Sequence, residues 1–376
     1  MKKKFTIALV ATTADTISSF MLAHIKKLCT KYDLLICCSN ASSLKKLVPK
    51  NIYLKNINFQ RKPNLISDFA NLLKLFFFFS QNKPNLTISL SPKAGFLTAI
   101  SSFIARISYR MHWFTGQVWL TKKGFMRIFY MVLDRVISNL SHHVLVDSHS
   151  QMKFLLSKNI ITKSKSSVLW NGSVGGVNLK RYKFNKRNRD YLRRKLKIAK
   201  NDFVFLYLGR INKDKGIIDL IEAFKSLQET YRMFLILVGP VEDDYIKECI
   251  NKNKKIHYNG KTLSPEKWYS MADILCLPSH REGFGSVVIE AASCNLPTLG
   301  SKIYGITDSI VQNQTGFLHK VGDILDIKRN MLFAMNNKKL LKKYGSSARK
   351  RAEKKFEDSL ICHKFLEFID QKLKKN

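Results

Sequence analysis

Two carboxylates separated by seven residues form the most specific chemical pattern in this sequence of 376 residues. Glu282 lies in a loop after the apolar run 274–278, and Glu290 lies in an otherwise apolar helical stretch, Val287–Ala292. A carboxylate on a buried helix needs a polar partner. A pair of sugar or ribose hydroxyls would supply one, as it does for the acidic residue of dinucleotide sites. The alternative is that Glu290 pairs with a nearby Lys or Arg.

A basic turn between a strand and a helix is the second pattern. The apolar run 203–208 ends at Gly209 and Arg210, and a helix begins near Gly216, just after Lys215. Such turns lie at the carboxyl end of a parallel sheet, where these folds bind ligands, and a helix N-terminus attracts phosphate. Arg210 would hold phosphate oxygens as a fork and Lys215 would act as a point charge. An ordinary solvated basic turn is the alternative.

A third segment contains Gly300–Asp308 and the short stretch Thr315–Leu318. We interpret the two pieces as the next strand with its loop, followed by a turn that borders the same cleft. Ordinary turn glycines would explain each piece equally well.

Short β-type runs alternate with helical patterns along the whole chain, which predicts parallel sheets covered on both faces by helices. One helix is expected from Ile217 to Leu227, where apolar residues recur at helical spacing. The predicted strands are Phe5–Val10, Leu34–Cys38, Leu86–Leu90, Tyr109–Phe114, His143–Val146, Ser167–Trp170, Phe203–Leu208, Met233–Val238, Lys255–Tyr258, Ile274–Leu277 and Thr298–Gly300.

A highly charged segment, 180–201, interrupts this alternation near mid-chain. We therefore predict an N-terminal Rossmann-like domain over residues 1–185 and a C-terminal one over residues 186–355. Residues 356–376 are expected to form a helix that packs back on the N-terminal domain. Glycine is absent before Gly95 and frequent after Gly209, which favours close backbone approach to a ligand in the second half.

The charge balance predicts a polyanionic neighbour. Lys and Arg number 65 against 27 Asp and Glu, a formal net charge of +38. Nucleic acid, an anionic membrane face and phosphorylated substrates all fit this charge, as do simple solvated faces. The most apolar run, 72–79, is too short to span a bilayer. The seven cysteines form no C-x-x-C pair, which is typical of reduced thiols in a cytosolic protein.

The second half resembles the C-terminal domain of the retaining GT-B glycosyltransferases of family 4. The resemblance depends on Gly209-Arg210, Lys215-Gly216, the Glu282–Glu290 pair, the Thr315-Gly316 turn and the tail 344–356. It is strong over residues 200–376 and weaker at 91–96, 110–117 and 169–173, which are similar to acceptor domains of bacterial surface-polysaccharide transferases. It implies an α/β fold of two doubly wound parallel-sheet domains that face a central cleft.

The resemblance also implies roles for single residues. Arg210 and Lys215 would hold the donor diphosphate, Glu282 would contact donor sugar hydroxyls as a catalytic residue, and Glu290 would contact the ribose. The remaining donor contacts would come from the backbone of Gly209, Gly283, Phe284 and Gly285. The sequence has no D-x-D pair, so we expect no metal cofactor, and we interpret Asp243-Asp244 as a helix cap.

The first half should bind the acceptor, and it departs from the family in two places. The loop 11–16 lacks the usual glycines, and Thr115-Gly116 stands where many relatives have His-Gly, so His112 is a second catalytic candidate. Lys93, Arg110 and Thr115 are predicted to bind the acceptor. The apolar stretches 69–79 and 94–107 suit a lipid-diphosphate acceptor, although core packing would also explain them.

The sequence thus predicts a hexosyltransferase of surface polysaccharide (O-antigen or capsule) biosynthesis. Its partners would be a nucleotide-sugar donor, expected to be UDP-linked, a lipid-diphosphate-linked saccharide and an anionic membrane surface, with no nucleic acid. It would be cytoplasmic, peripheral on the inner face of the membrane. A GT-B sugar-nucleotide epimerase is one alternative, and a basic nucleic-acid-binding protein is another.

Overall fold

The computed structural model describes residues 4–60 and 64–374, and it divides into two compact units. The first unit comprises Met1–Gly176 with Asp358–Asn376, and the second comprises Val177–Glu357. The division therefore precedes the predicted boundary at 185/186. The charged segment belongs to the second unit because Arg189 and Arg193 donate to the two carboxylate oxygens of Asp273, at 2.6 and 2.7 Å.

Within the described residues, the first unit contains a seven-stranded parallel sheet of order β3-β2-β1-β4-β5-β6-β7. The strands are β1 Thr6–Thr13, β2 Asp33–Ser39, β3 Tyr53–Asn56, β4 Leu86–Leu90, β5 Tyr109–Phe114, β6 His143–Val146 and β7 Ser166–Val168. The helices are α1 Ala14–Phe20, α2 Leu22–Leu28, α3 Leu65–Asn82, α4 Pro92–Ile104, α5 Gly124–Leu140 and α6 His149–Ser157. The strand order reverses between β1 and β4, which makes their carboxyl ends the ligand-binding edge expected of such sheets.

The second unit contains a six-stranded parallel sheet of order β10-β9-β8-β11-β12-β13. The strands are β8 Phe203–Leu208, β9 Met233–Val238, β10 Ile256–Asn259, β11 Ile274–Leu277, β12 Thr298–Ser301 and β13 Gly316–His319. The helices are α7 Lys186–Lys195, α8 Ile217–Lys225, α9 Asp244–Asn251, α10 Pro265–Met271, α11 Ser286–Ser293, α12 Ile306–Ser309, α13 Ile324–Asn336 and α14 Lys338–Lys355. Here the order reverses between β8 and β11.

The final helix, α15 Asp358–Lys374, belongs to the first unit, where it packs on α2. Successive side chains of a strand point to opposite faces of its sheet. Ile7 and Leu9 of β1 share a core with α15, while Ala8 and Val10 share a core with α3 and α4. The helices α3 and α4 therefore cover the sheet face opposite α15.

The pattern of apolar runs predicted most strands well. Six of the predicted strands, including β8 and β11, have the observed bounds. Two strands were not predicted. The edge strand β3 is largely exposed and contains Lys55 and Asn56, and β13 begins at Gly316 in the stretch interpreted as a turn. Among the described residues, no helix combines the length and apolarity that a membrane-spanning segment requires.

Candidate active site

The two chemical patterns of the second half meet at the point where its strand order reverses. The turn after β8 carries Arg210 and Lys215, and the loop after β11 carries Glu282. Because β8 and β11 are neighbours in a parallel sheet, both segments leave the same edge side by side. Along the chain, the two segments lie about seventy residues apart, so only the fold brings them together.

Close backbone approach at Gly216 joins the two segments. Gly216 caps α8 with φ +65°, and a Cβ atom on it would lie 2.0 Å from the carbonyl oxygen of Pro278. A side chain at this position would therefore collide with the end of β11. Beside it, the amide N–H of His280 donates to the carbonyl of Asp214 at 2.9 Å. The turn and the loop thus form one rigid edge.

Lys215 and Glu282 form an ion pair across this edge. Lys215 Nζ donates to Glu282 Oε1 at 2.5 Å, and both side chains are only 16% exposed. The hydroxyl of Ser279 donates to the same carboxylate oxygen at 3.0 Å. The cation predicted to hold a diphosphate and the carboxylate predicted to hold a sugar are therefore in direct contact.

Two further ion pairs connect the same segments. Arg281 Nε donates to Asp214 Oδ2 at 2.8 Å, and His280 Nε2 lies 2.8 Å from Asp219 Oδ2. The hydrogen bond with Asp219 raises the pKa of His280 above its usual value. These pairs hold the flanks of the loop, so that Glu282 is presented from a fixed backbone.

Arg210 lies on the exposed side of the same turn. Its Nη1 is 3.4 Å from Glu242 Oε2, which also accepts from Asn212 at 2.8 Å. The Arg210 side chain is 44% exposed, so its guanidinium can offer further N–H groups to an anion from solvent. The turn therefore offers one exposed and one half-buried cation near the N-terminus of α8.

Glu290 lies one turn into α11 and is held by tyrosines rather than by a cation. Tyr269 of α10 donates its hydroxyl to Glu290 Oε2 at 2.7 Å, and the hydroxyl of Tyr182 also bonds the carboxylate. Burial raises the pKa of Glu290 to about 7, although both hydroxyls oppose that shift. Two neutral donors thus stand where the alternative expected a Lys or Arg partner, and they leave the carboxylate able to accept further hydrogen bonds.

The glycine-flanked stretch before α11 presents backbone rather than side chain. Phe284 is buried and packs edge-on against Phe356, with ring centroids 5.2 Å apart. A Cβ atom on Gly305 would lie 2.4 Å from the carbonyl oxygen of Gly283, so the loop after β12 also presses on this stretch. Any contact of Phe284 with a donor would therefore involve its main chain.

His112 of the first unit does not reach an open surface. It is 1% exposed in β5, its Nδ1 lies 2.8 Å from Ser89 Oγ, and a Cβ atom on Gly95 would lie 2.4 Å from its ring. Burial lowers the pKa of His112 to about 3, so the ring is neutral. The structure does not support the prediction that His112 contacts a donor sugar, because α4 covers the imidazole.

Arg110 lies at the amino end of β5, the edge opposite to the ligand-binding edge. Its Nε and Nη1 each donate at 2.8 Å to main-chain carbonyls, those of Leu140 and Ile107. The strand continues for four more residues to Phe114, a distance of about 13 Å. The structure therefore does not support Arg110 as a ligand for acceptor phosphate. Its guanidinium instead binds main-chain carbonyls at the end of α5 and just after α4.

Lys93 and Thr115 lie at the carboxyl edge of the first sheet. Lys93 is at the start of α4, directly after β4, and its Nζ lies 2.8 Å from Asp68 Oδ1. Next to it, Thr12 Oγ1 and Ser91 Oγ share a hydrogen bond of 2.6 Å across the reversal between β1 and β4. Thr115 is half-buried just after β5. Both predicted residues remain candidates for acceptor binding.

Sequence patterns did not single out Tyr269, Tyr182 or Asp273. A tyrosine in an amphipathic helix carries no signal that it bonds a carboxylate some twenty residues later. Asp243, in contrast, caps α9 by accepting from the amide of Ile246 at 3.2 Å, as predicted. Within residues 4–60 and 64–374, no three His, Cys, Asp or Glu side chains are grouped to hold a metal ion.

Residues 188–351 match the family model described as glycosyl transferases group 1. The chain is 30% identical over 315 residues to the capsular polysaccharide biosynthesis glycosyltransferase CapM of Staphylococcus aureus, covering 81% of each chain. It is 25% identical over 292 residues to the UDP-Gal:alpha-D-GlcNAc-diphosphoundecaprenol alpha-1,3-galactosyltransferase of Escherichia coli, covering 75% of this chain and 74% of that protein.

The fold has a solved counterpart in Anabaena HepE, crystallised with UDP and glucose. The two chains superpose with a TM-score of 0.81 at 20% sequence identity, covering 98% of this chain and 100% of HepE. This similarity confirms the predicted GT-B fold class, with its two doubly wound parallel sheets.

Proposed function

The chain belongs to the glycosyl transferases group 1, and on that premise we propose that it moves a hexosyl or N-acetylhexosaminyl unit from a nucleotide diphosphate sugar to a lipid-linked glycan. The observation that carries the proposal is the Lys215–Glu282 pair at the strand-order reversal, in the turn that also carries the exposed Arg210. This edge combines cations for a diphosphate with a carboxylate for sugar hydroxyls.

Departure of the nucleoside diphosphate is the step that these cations would assist. As the bond from the sugar to the diphosphate breaks, negative charge grows on the departing phosphate oxygens. Arg210, Lys215 and the N-terminus of α8 supply fixed positive charge for it. The close contact at Gly216 holds the backbone of this turn against the end of β11, so the turn is in place before the charge develops.

The two carboxylates would accept hydrogen bonds from different parts of the donor. Glu282 would accept hydrogen bonds from sugar hydroxyls, and the ion pair with Lys215 holds its carboxylate beside the cations for the diphosphate. Glu290 accepts from ribose hydroxyls in place of one or both tyrosine hydroxyls. The amides of Gly283, Phe284 and Gly285 would face the sugar and phosphate.

We propose a front-face reaction that retains the anomeric configuration, in the manner of family 4 enzymes. The departing phosphate oxygen takes the proton of the attacking acceptor hydroxyl, and the new glycosidic bond forms on the face that the phosphate leaves. This step requires no protein base, which agrees with the burial of His112. The fixed cations would stabilise the negative charge on the departing diphosphate without a metal cofactor.

The names of the relatives and the charged and polar residues of the site support a class of donor and a class of acceptor. A UDP-linked donor is supported by the E. coli relative, whose name specifies UDP-Gal and a diphosphoundecaprenol-linked acceptor. An acceptor of that class would place its diphosphate near Lys93 and its first sugar near Thr115. The S. aureus relative supports surface polysaccharide biosynthesis as the pathway class. The enzyme would work at the inner, anionic face of the cytoplasmic membrane.

A donor screen with lipid-diphosphate saccharides as acceptors, followed by mass spectrometry, tests this proposal. We expect one donor to add one sugar mass to one acceptor, with release of the nucleoside diphosphate. The same mixture without acceptor, examined by NMR, separates the transferase from an epimerase, because only an epimerase would convert the donor alone. Conversion without acceptor, or no transfer with any donor, would reject the proposal.

A further inference from the structure

The helix α5 has its apolar side turned to solvent. Phe125, Ile128, Phe129 and Val132 recur at the spacing of one helical face, and all four are exposed, Phe125 to 77%. The residues that α5 buries include Asp134 and Ser138. An ordinary surface helix exposes its polar stripe, whereas α5 buries Asp134 and Ser138 together with Ile137 and turns an apolar stripe outward.

Polar side chains of α5 form hydrogen bonds within the protein. Asp134 Oδ2 accepts from the indole Nε1 of Trp119 at 2.8 Å, and Ser138 lies buried on the same side. Arg135 donates to the main-chain carbonyl of Asn159 at 3.2 Å. These bonds fix the rotation of the helix about its axis, so the outward position of the apolar stripe is built into the fold.

The helix α3 repeats the feature in the same helix layer. Ile66, Phe69, Leu73 and Phe77 form a second exposed stripe at helical spacing, with Phe69 exposed to 63%. Both α3 and α5 pack on α4. The stretch 69–79, considered above as an acceptor surface, is therefore divided between this exposed stripe and buried core residues.

The charge around these stripes is almost entirely positive. Residues 64–140 contain nine Lys and Arg against two Asp. Both Asp side chains are engaged, Asp68 with Lys93 and Asp134 with Trp119. Lys122 and Lys123, immediately before α5, are exposed, as is Lys74 on α3. An apolar surface surrounded by cations suits a lipid bilayer with anionic headgroups.

We propose that the α3 and α5 stripes form a docking surface for an anionic membrane, with Phe125, Ile128 and Phe129 inserted among the lipid headgroups. Exposed apolar stripes of this kind mark an interaction site rather than ordinary surface. The cations fit acidic lipids better than a second copy of this chain, which itself carries +38. The inference rests on the proposed function for the lipid-linked acceptor, and it specifies the face that meets the lipid.

Flotation of the purified full chain with vesicles tests the docking surface. Wild type should float with vesicles of phosphatidylglycerol and phosphatidylcholine in equal parts, and much less with phosphatidylcholine alone. The triple variant Phe125→Ser, Ile128→Ser, Phe129→Ser should lower the vesicle partition coefficient by at least about tenfold. The variant Lys122→Gln with Lys123→Gln should weaken binding to the anionic vesicles only.

A matched control removes exposed apolar side chains elsewhere. Leu263 and Leu325 of the second unit are exposed to 85% and 70%, and the double variant Leu263→Ser, Leu325→Ser should float like wild type. Unchanged thermal unfolding and unchanged UDP binding by calorimetry should show that the triple variant is folded. Equal flotation of triple variant and wild type, or no flotation of wild type, would overturn the docking surface.

Three further outcomes separate membrane docking from a dimer interface and from the proposed function. A wild-type dimer that the triple variant converts to a monomer, with no change in flotation, would assign the surface to a second copy and overturn membrane docking. If wild type floats as expected but transfers no sugar from any donor, docking stands and the proposed function fails. If wild type transfers sugar but never floats with the vesicles, the proposed function stands and the docking surface fails.

Discussion

Lys215 Nζ lies 2.5 Å from Glu282 Oε1, which joins the turn after β8 to the loop after β11. Each side chain neutralises the other while no ligand is bound. A diphosphate that arrives here brings its own negative charge to Lys215, so Glu282 becomes freer to accept hydrogen bonds from a sugar. The ion pair thus couples the two halves of the candidate donor site.

The ion pair should show coupling in a double-mutant cycle. Lys215→Met should lower the free energy of unfolding by roughly 1–3 kcal/mol, because a half-buried carboxylate loses its partner. Adding Glu282→Gln should cost less than the sum of the single changes, since no charge is then unpaired. Urea unfolding measures the cycle. The exposed Lys252–Glu248 pair, 2.6 Å apart, is the control and should show no coupling; strictly additive effects at 215 and 282 would contradict the pairing.

Arg210 should matter for donor binding and hardly at all for stability. Arg210→Ala should weaken UDP binding about tenfold, because a charge-assisted phosphate contact is lost. Calorimetric titration with UDP measures the change. Arg329→Ala removes a more exposed arginine from α13, which like Arg210 lies beside one carboxylate, and it should bind UDP like wild type. An Arg210 variant with wild-type affinity would remove this residue from the site.

Glu290 should be essential for turnover although the chain folds without it. Both Glu290→Ala and Glu290→Gln should reduce sugar transfer by at least about a hundredfold, since the ribose hydroxyls lose their charged acceptor. Circular dichroism should report a folded protein. Glu248→Gln is the matched control on an exposed helix and should transfer at the wild-type rate. Full activity of either Glu290 variant would refute the assignment.

The raised pKa of Glu290 predicts a specific pH dependence of stability. A carboxyl whose pKa rises from 4.5 to about 7 on folding binds its proton more tightly in the folded state. Its contribution to stability is complete below pH 4.5, falls as the pH rises from 4.5 to 7, and is constant above. Relative to Glu290→Gln, wild type should therefore lose up to about 3 kcal/mol over this range. Parallel stability curves for the two proteins would show that Glu290 has an ordinary pKa.

Gly216 should tolerate no side chain. Gly216→Ala would place Cβ 2.0 Å from the carbonyl oxygen of Pro278, in addition to the strain of φ +65°. Gly322 has φ +72° with no atom within 4 Å of the same Cβ position, so Gly322→Ala isolates the cost of the backbone angle. Denaturant unfolding should show a larger loss for Gly216→Ala by more than about 1 kcal/mol, together with weaker UDP binding. Equal losses at the two glycines would show that the contact with Pro278 is dispensable.

Local patterns determined much of the fold. Continuous apolar runs such as 203–208 and 274–277 are short and bounded by turn residues, which is typical of inner strands of a helix-covered sheet, so their positions followed from the sequence pattern. The spacing of Glu282 and Glu290 around two glycines likewise indicated a loop and helix suited to sugar and ribose. The edge strand β3 has no such signal, because it is half-exposed and needs only a neighbour to complete its hydrogen bonds.

The tertiary structure decided which residues meet. The pairing of Lys215 with Glu282, and of Glu290 with Tyr269 and Tyr182, depends on strands and helices far apart in sequence. It also decided that His112 is covered and that Arg110 lies at the wrong end of β5, because a strand displaces residues along its axis. It likewise decided the orientation of α5. The buried hydrogen bond from Trp119 to Asp134 helps to set the rotation of that helix, whereas a sequence pattern gives the spacing of apolar residues and not the direction in which they point.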